Sequence, residues 1–279
     1  MTTLLASEIE LLAPDSVTTD DRVNTRPVDR SWVARRLREG FDEKRLGVPT
    51  VSARPDGTFV WLDGQNRGAL CMAANRGDLK ISMKVFRGLT LAEEAELFLG
   101  LNDNRRVAPI YKFLAEVTAG RPEALRITRI ATENGWTVSD AGGPSNIAAV
   151  AALSTIYRST TPPGTTLRTV LSILTQAWGH TPEAVSAHLL HGMASVVNGC
   201  PELIPAAMVK KLALHDGGPV SIVGKGRGFR SATGCTVTQG VDQVMRGIYN
   251  SSRRAGRLET WGPPAPRSAG AQAHLTAHG

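Results

Sequence analysis

The sequence predicts an α+β protein in which a small mixed N-terminal domain is followed by a mainly α-helical C-terminal domain. Three observations predict it. Strand-like runs alternate with amphipathic segments before Gly120, apolar spacing is helical almost throughout after it, and positive charge gathers in the second part. The boundaries read as a mobile lead-in over residues 1–20, the mixed domain over 21–119, a helical domain with a basic C-terminal segment over 120–258, and a disordered tail over 259–279.

The elements follow in order. Residues 1–20 carry only a short cluster of Leu4, Leu5, Ile9, Leu11 and Leu12. Asp29 to Phe41 reads as a helix, with Asp29 or Ser31 as cap and Trp32, Val33 and Leu37 on one face, ending at Gly40. Val48–Ala53 and Thr58–Leu62 are strand-like, joined by Arg54-Pro55-Asp56-Gly57, a sequence suited to a tight turn. A helix from Arg67 to Asn75 follows, then a strand over Leu79–Phe86 with Ile81, Met83 and Val85 on one face. Thr90-Leu91-Ala92-Glu93 is a capping box opening a helix to Leu101, and a further helix runs from Ile110 to Ala119. Beyond Gly120, apart from Trp136-Thr137-Val138, helical spacing covers Ser145–Tyr157, Thr166–Trp178, Pro182–Val197, Glu202–Leu214 and Thr238–Tyr249. Gly224-Lys225-Gly226-Arg227-Gly228-Phe229-Arg230 reads as a flexible basic loop.

Composition narrows the function classes. With 279 residues, 42% hydrophobic and 20% charged, the chain has a globular protein's balance. It has no apolar run long enough for a bilayer, and its first residues lack the pattern of a signal peptide, so a cytoplasmic location without membrane contact is expected. Cys71, Cys200 and Cys235 are widely spaced and odd in number, which suits a reducing compartment and offers no metal pattern. The net charge is +7, and between Pro205 and Leu258 nine cations face two carboxylates, so this segment holds the whole excess. That favours a polyanionic partner, with DNA the expected one.

Asp63-Gly64-Gln65-Asn66-Arg67, between a strand and a helix, holds the groups needed around a phosphate. These are a carboxylate, a glycine allowing close backbone approach, two amides and a guanidinium at a helix's positive end. The same residues also fit a plain turn in which Asp63 caps the helix and Arg67 pairs with a neighbouring carboxylate. Asn102-Asp103-Asn104-Arg105-Arg106 follows a helix end, and its arginines are placed to close over an anion; Asn24-Thr25-Arg26-Pro27 precedes the first helix. In the basic segment, Lys225, Arg227, Arg230, Arg253 and Arg254 are candidates for a phosphate backbone. The glycine spacing there is not that of a Walker A loop, and no helix-turn-helix reads after Gly120. His188 and His191, with Glu183 nearby, lack a third ligand at metal spacing.

The order of parts resembles the ParB/sulfiredoxin-like superfamily over residues 20–118. The shared order is an arginine-proline segment, a helix, a hairpin, Asp-Gly-Gln-Asn-Arg opening a helix, a strand, and a helix ending in Asn-x-x-Arg. It is most similar to the group with an Asp-Gly-Gln-His-Arg core, met in phage and mobile-element proteins. In ParB proteins the equivalent segments hold a nucleoside triphosphate, and related members include free-serine kinases and proteins labelled nucleases. The resemblance implies phosphate or nucleotide contacts from Gly64, Gln65, Asn66, Arg67, Asn102, Arg105 and Arg106, with Arg26 reaching in. It makes Asp63 the counterpart of the acidic residue that kinase-like members use near the metal, with magnesium the implied ion. Two departures count. No cysteine stands in the turn, which argues against sulfiredoxin chemistry, and Asn66 replaces the usual His and cannot exchange a proton near neutral pH.

The expected function is therefore a ParB-like nucleotide-binding NTPase or phosphotransferase acting on or near DNA. The alternative is a non-catalytic DNA-binding or scaffolding protein that keeps the fold. A nuclease fits less well, because no carboxylates cluster at metal spacing. A homodimer is left open.

Overall fold

A computed structural model describes residues 7–102 and 108–260. The chain packs as two compact units that divide between Arg129 and Ile130.

In the first unit, strand β1 (Ser7–Leu12) and the short β2 (Val17–Thr18) precede helix α1 (Arg30–Glu39). Asp29 caps α1 by accepting the Trp32 N–H at 2.9 Å, and Gly40 ends it at φ +99°. β3 (Thr50–Ala53) and β4 (Phe59–Asp63) form the expected hairpin, with Ala53 opposite Phe59. α2 (Gln65–Ala73), β5 (Ile81–Arg87), α3 (Leu91–Leu101) and α4 (Pro109–Thr118) follow. The capping box at Thr90 and Glu93 forms in full. The sheet order is β1-β5-β3-β4-β2, with β1 antiparallel to β5, β3 parallel to β5, and β2 parallel to β4.

Strand alternation divides the core between the two faces of the sheet. Val51, Trp61, Ile81, Met83 and Val85 pack with Cys71 of α2 on one side. Leu62 and Phe86 pack with Phe98 of α3 and Ala115 of α4 on the other. Gly68 lets α2 lie directly on β4, since a Cβ there would meet the Trp61 ring at 2.6 Å.

Two expectations for this unit are corrected. Residues 7–18 are not a mobile lead-in but supply two strands, because Ser7–Leu12 finds a continuous partner in β5. The sequence reading also lacked α5 (Pro122–Glu133), within which the division between units falls.

The second unit is helical apart from β6 (Thr137–Val138) and β7 (Asn146–Ile147), a parallel pair. Its helices are α6 (Val150–Tyr157), α7 (Thr165–Trp178), α8 (Ala187–Gly199), α9 (Pro205–Ala213), α10 (Gly218–Thr233) and α11 (Val237–Asn250). Residues 182–185 form a separate 3-10 turn instead of opening α8. The expected basic loop over Gly224–Arg230 is corrected too: it lies inside α10. Its glycines serve a close helix crossing. A Cβ on Gly226 would meet Val241 Cγ2 at 2.7 Å, and one on Gly240 would meet the Gly226 carbonyl oxygen at 2.4 Å. Tertiary packing here overrides the low helix propensity of glycine, about 1 kcal/mol per residue.

α11 also holds the chain's return. Asn250 exchanges two hydrogen bonds with the backbone of Leu258, and Arg246, buried and paired with Asp242 at 3.0 Å, donates to the Glu259 carbonyl. Glu259 is thus tied down, and the remainder of the expected disordered tail, from residue 261, lies outside the described residues. No helix among the described residues is long and apolar enough to cross a membrane.

A charged network joins distant parts of the first unit. Arg54, at the hairpin turn, pairs with Glu94 of α3 at 2.5 Å and with Asp20 at 2.9 Å, and Asp20 also pairs with Arg22. Hydrogen bonds, from Arg22 foremost, hold the Asp20 carboxyl well below its ordinary 3.8 against the opposing effect of burial. A depressed folded-state pKa gives stability that is present above the unfolded value and lost as pH falls through the folded one. Asp20→Asn is therefore expected to lower the unfolding free energy at pH 7 by about 2 kcal/mol. Urea titrations at several pH values should show the gap to wild type closing below pH 3.8.

Candidate functional site

The turn between β4 and α2 is built on Gly64. Its φ is +99°, and a Cβ would meet Pro49 Cβ at 2.7 Å and Arg67 NH2 at 3.0 Å, so only glycine fits without displacement. α2 begins at once, and its N-cap, Gly64, has no side chain with which to cap it. Its first turn therefore keeps the positive end and the uncapped N–H groups expected of an anion site.

The next three residues reach three separate segments. Gln65 Nε2 donates to the Arg26 carbonyl. Asn66 Oδ1 accepts the Asp29 N–H at 2.9 Å, which holds the start of α1 against α2. Arg67 donates through NH2 to Asp63 Oδ2 at 2.9 Å and through NH1 to the Leu46 carbonyl at 2.6 Å. The plain-turn reading made Asp63 the cap of α2, but the N-cap is Gly64, and Asp63 is instead the neighbouring carboxylate with which Arg67 pairs. Arg67 also lines a 440 Å³ cleft shared with Trp32, Arg36 and Arg45.

The segment leading into α1 lies along this turn. Asn24 Nδ2 donates to the Trp61 carbonyl of β4 at 3.4 Å, and Thr25 Oγ1 to the Tyr111 carbonyl of α4 at 2.7 Å. Asn102 ends α3, the helix packed on β4 and α4, and its Nδ2 donates to the Phe98 carbonyl. In each of these residues but Thr25 a buried polar atom is left over. Among the described residues, Asn24 Oδ1, Arg26 Nε, Gln65 Oε1 and Asn102 Oδ1 have no hydrogen-bond partner. Asn24, Gln65 and Asn102 are 2%, 3% and 5% exposed, so bulk water does not serve them.

Sequence reasoning had singled out Arg26, Gln65 and Asn102 but not Asn24, whose only signal was its place in Asn-Thr-Arg-Pro. Arg105 and Arg106 lie outside the described residues. Among the described residues no three His, Cys, Asp or Glu side chains gather as metal ligands.

In the second unit, α10 presents Lys225, Arg227 and Arg230 to solvent. Lys225 Nζ lies 3.0 Å from His215 Nε2, and burial, with the Lys225 charge second, pushes the His215 pKa down. Arg254 is exposed, whereas the Arg253 guanidinium lies over the Tyr249 ring at 4.4 Å. Arg227 and Arg230, three apart on one helix face, are a cationic pair of fixed spacing.

The profile of a family of unknown function, DUF6551, matches residues 21–259, across both units. The chain belongs to the DUF6551 family. No curated protein matches this DUF6551 chain. Solved structures similar to it include two of ParB N-domains. One, of a pNOB8-like ParB N-domain, is 17% identical with a TM-score of 0.35, and the match covers 77% of this chain and 90% of that one. The other, a second crystal form of a pNOB8-like ParB N-domain, is 16% identical with a TM-score of 0.37, covering 78% and 93%. Neither likeness reaches the level at which a shared fold follows.

Gly64 and Gly57 separate crowding from backbone strain. Gly57 has φ +85° with open space around its would-be Cβ. Gly57→Ala should cost about 1 kcal/mol, and Gly64→Ala about 2 kcal/mol or more, in urea unfolding. Equal costs would show that Pro49 and Arg67 do not crowd the turn.

Proposed function

We propose that the mouth of α2 binds the phosphates of a nucleoside triphosphate and that the basic face of α10 engages DNA, making the protein a ParB-like nucleotide-binding protein of phage or mobile-element type. The observation that carries this is the first turn of α2, where Gln65 and the Arg26 segment bonded to it each keep a buried polar atom without a partner among the described residues; Asn24 and Asn102, which pack on β4 and α3, do the same. Leaving a buried polar group unpaired costs about 1–3 kcal/mol, so a polar ligand that satisfied several of them would be strongly favoured. The donors and acceptors fit a nucleotide. Arg26 Nε and the first-turn N–H groups suit phosphate oxygens, and the three carbonyl-type oxygens suit the N–H and O–H groups of base and sugar. The ParB-like order of motifs implies the same segments, with Arg105 and Arg106 as further phosphate contacts.

A bound triphosphate would supply a phosphoanhydride for hydrolysis or transfer, with magnesium to screen its charge. Toward it, this chain's residues position more than they react. Gly64 lets the backbone approach, Gln65 fixes the Arg26 segment, and Asp63 is held by Arg67. A second reading, a non-catalytic DNA-binding or scaffolding protein, is favoured by those engagements. Asp63 is tied to Arg67 and Asn66 to Asp29, so the carboxylate of the turn, its one group able to exchange a proton, and the amide in the place of the usual His are both engaged in holding the fold.

Thermal shift with CTP, ATP, ADP and GTP in magnesium, followed by product analysis, separates these readings. One nucleotide is expected to raise the melting temperature by a few degrees, at about 100 times its dissociation constant. Arg26→Ala should remove most of that rise, and no shift with any nucleotide would overturn the proposal. Turnover supports the enzyme, and binding without turnover the scaffold. For DNA, replacing Arg227 and Arg230 with alanine should weaken retention of duplex and lower the salt slope by about two. Unchanged retention would make them solvated surface.

A further inference from the structure

β1 is an edge strand whose only blunting charges are Glu8 and Glu10, and Glu10 is paired with Arg87. It runs six residues against β5 in unbroken register, from Ser7 opposite Phe86 to Leu12 opposite Ile81, and among the described residues no strand pairs with its outer side. Edge strands are commonly blunted by proline, lysine or a bulge, and Ser-Glu-Ile-Glu-Leu-Leu has none of these. Its alternation is also unusual. Glu8, Glu10 and Leu12 stand opposite Val85, Met83 and Ile81, whereas Ile9 and Leu11, opposite Lys84 and Ser82, are 62% and 63% exposed on the other face. Two adjacent aliphatic side chains beside an open ladder of backbone donors and acceptors make a template for another strand.

We propose that the occupant is a second copy of this chain, with the two β1 strands pairing antiparallel about a two-fold axis at Glu10. Charge and length select this register. Centring on Ile9 would set Glu8 opposite the partner's Glu10 twice, and centring on Leu11 would leave only three strand residues on each side to pair. Centred on Glu10, Ile9 faces the partner's Leu11 and Leu11 the partner's Ile9, giving one aliphatic cluster of four. Glu8 then faces the partner's Leu12. The one like-charge pair, Glu10 with the partner's Glu10, is neutralised, because each Glu10 is bound to Arg87 of its own β5 at 2.5 Å. The two five-stranded sheets become one continuous sheet through a self-complementary seam.

The test uses the full chain. Sedimentation velocity across a concentration series should show a monomer–dimer equilibrium, and Ile9→Lys with Leu11→Lys should raise its dissociation constant about tenfold or more. Both side chains point to solvent, so the double variant should melt as wild type does at dilutions where both are monomeric. Glu10→Cys supplies a second readout, since Cys71, Cys200 and Cys235 are all buried. Mild oxidation should link Glu10→Cys into a dimer far more than Glu8→Cys, whose two copies the register sets four residues apart, beyond disulfide reach. A wild-type monomer at every concentration, a dimer indifferent to the two lysines, or equal cross-linking at positions 8 and 10 would each overturn the proposal.

Discussion

The first unit depends on the three side chains that leave the first turn of α2 in different directions. Gln65 ties the approach to α1, Asn66 ties the start of α1, and Arg67 ties the loop at Leu46 and the carboxylate of Asp63. Each holds a segment more than twenty positions away in the chain, apart from Asp63 itself. Gly64 makes this possible by turning the chain through a conformation that other residues resist. One short turn thus fixes where the helices lie on their face of the sheet. The same turn starts α2 on a glycine and leaves, on Gln65 and Arg26, polar atoms without a partner among the described residues.

On the proposed reading, that combination marks a binding site. Elsewhere polar groups close on one another, as Asn250 and Leu258 do in the second unit, or are left over singly, as on Ser186 and Arg253. Around Gln65 one half of each amide is used to hold the fold, and the other half is left over. Gln65, Asn24 and Asn102 all show this division, with the nitrogen spent on a backbone carbonyl and the oxygen unpaired. A ligand offering donors would complete all three. The charge of the second unit is of another kind, since Arg227 and Arg230 are exposed and cheaply solvated, so their meaning rests on what they meet.

Much of this was legible in the sequence wherever the signal was local. Asp29 as a cap, the Thr90–Glu93 box, the hairpin at Arg54–Gly57 and the glycine stop at Gly40 each declare themselves within a few residues. β1 did not, because Ser7–Leu12 takes its meaning from β5, some seventy positions on. α10 misled, because glycine lowers helix propensity locally while Gly226 meets a requirement of α11 that only the folded unit reveals. α5 carried a signal that was passed over: Pro122 at the first helical position, Glu123 beside it, and Ile127 and Ile130 on one face. At the site, the choice of Gly64, Gln65 and Asn102 followed from residue chemistry and motif order. The pairing of Arg67 with Asp63, by contrast, needed the geometry of an i,i+4 pair across a tight turn.

The central claim is that the start of α2 is where a phosphate-bearing ligand lands. It is tested most directly by recording the amide resonances of the isotope-labelled protein while titrating the nucleotide. Progressive, saturable shifts are predicted at the backbone N–H groups of Gly64, Gln65 and Asn66 and at the Gln65 side-chain amide, with Arg26 Nε moving in step. Saturable binding that leaves these resonances in place and moves others would contradict the account.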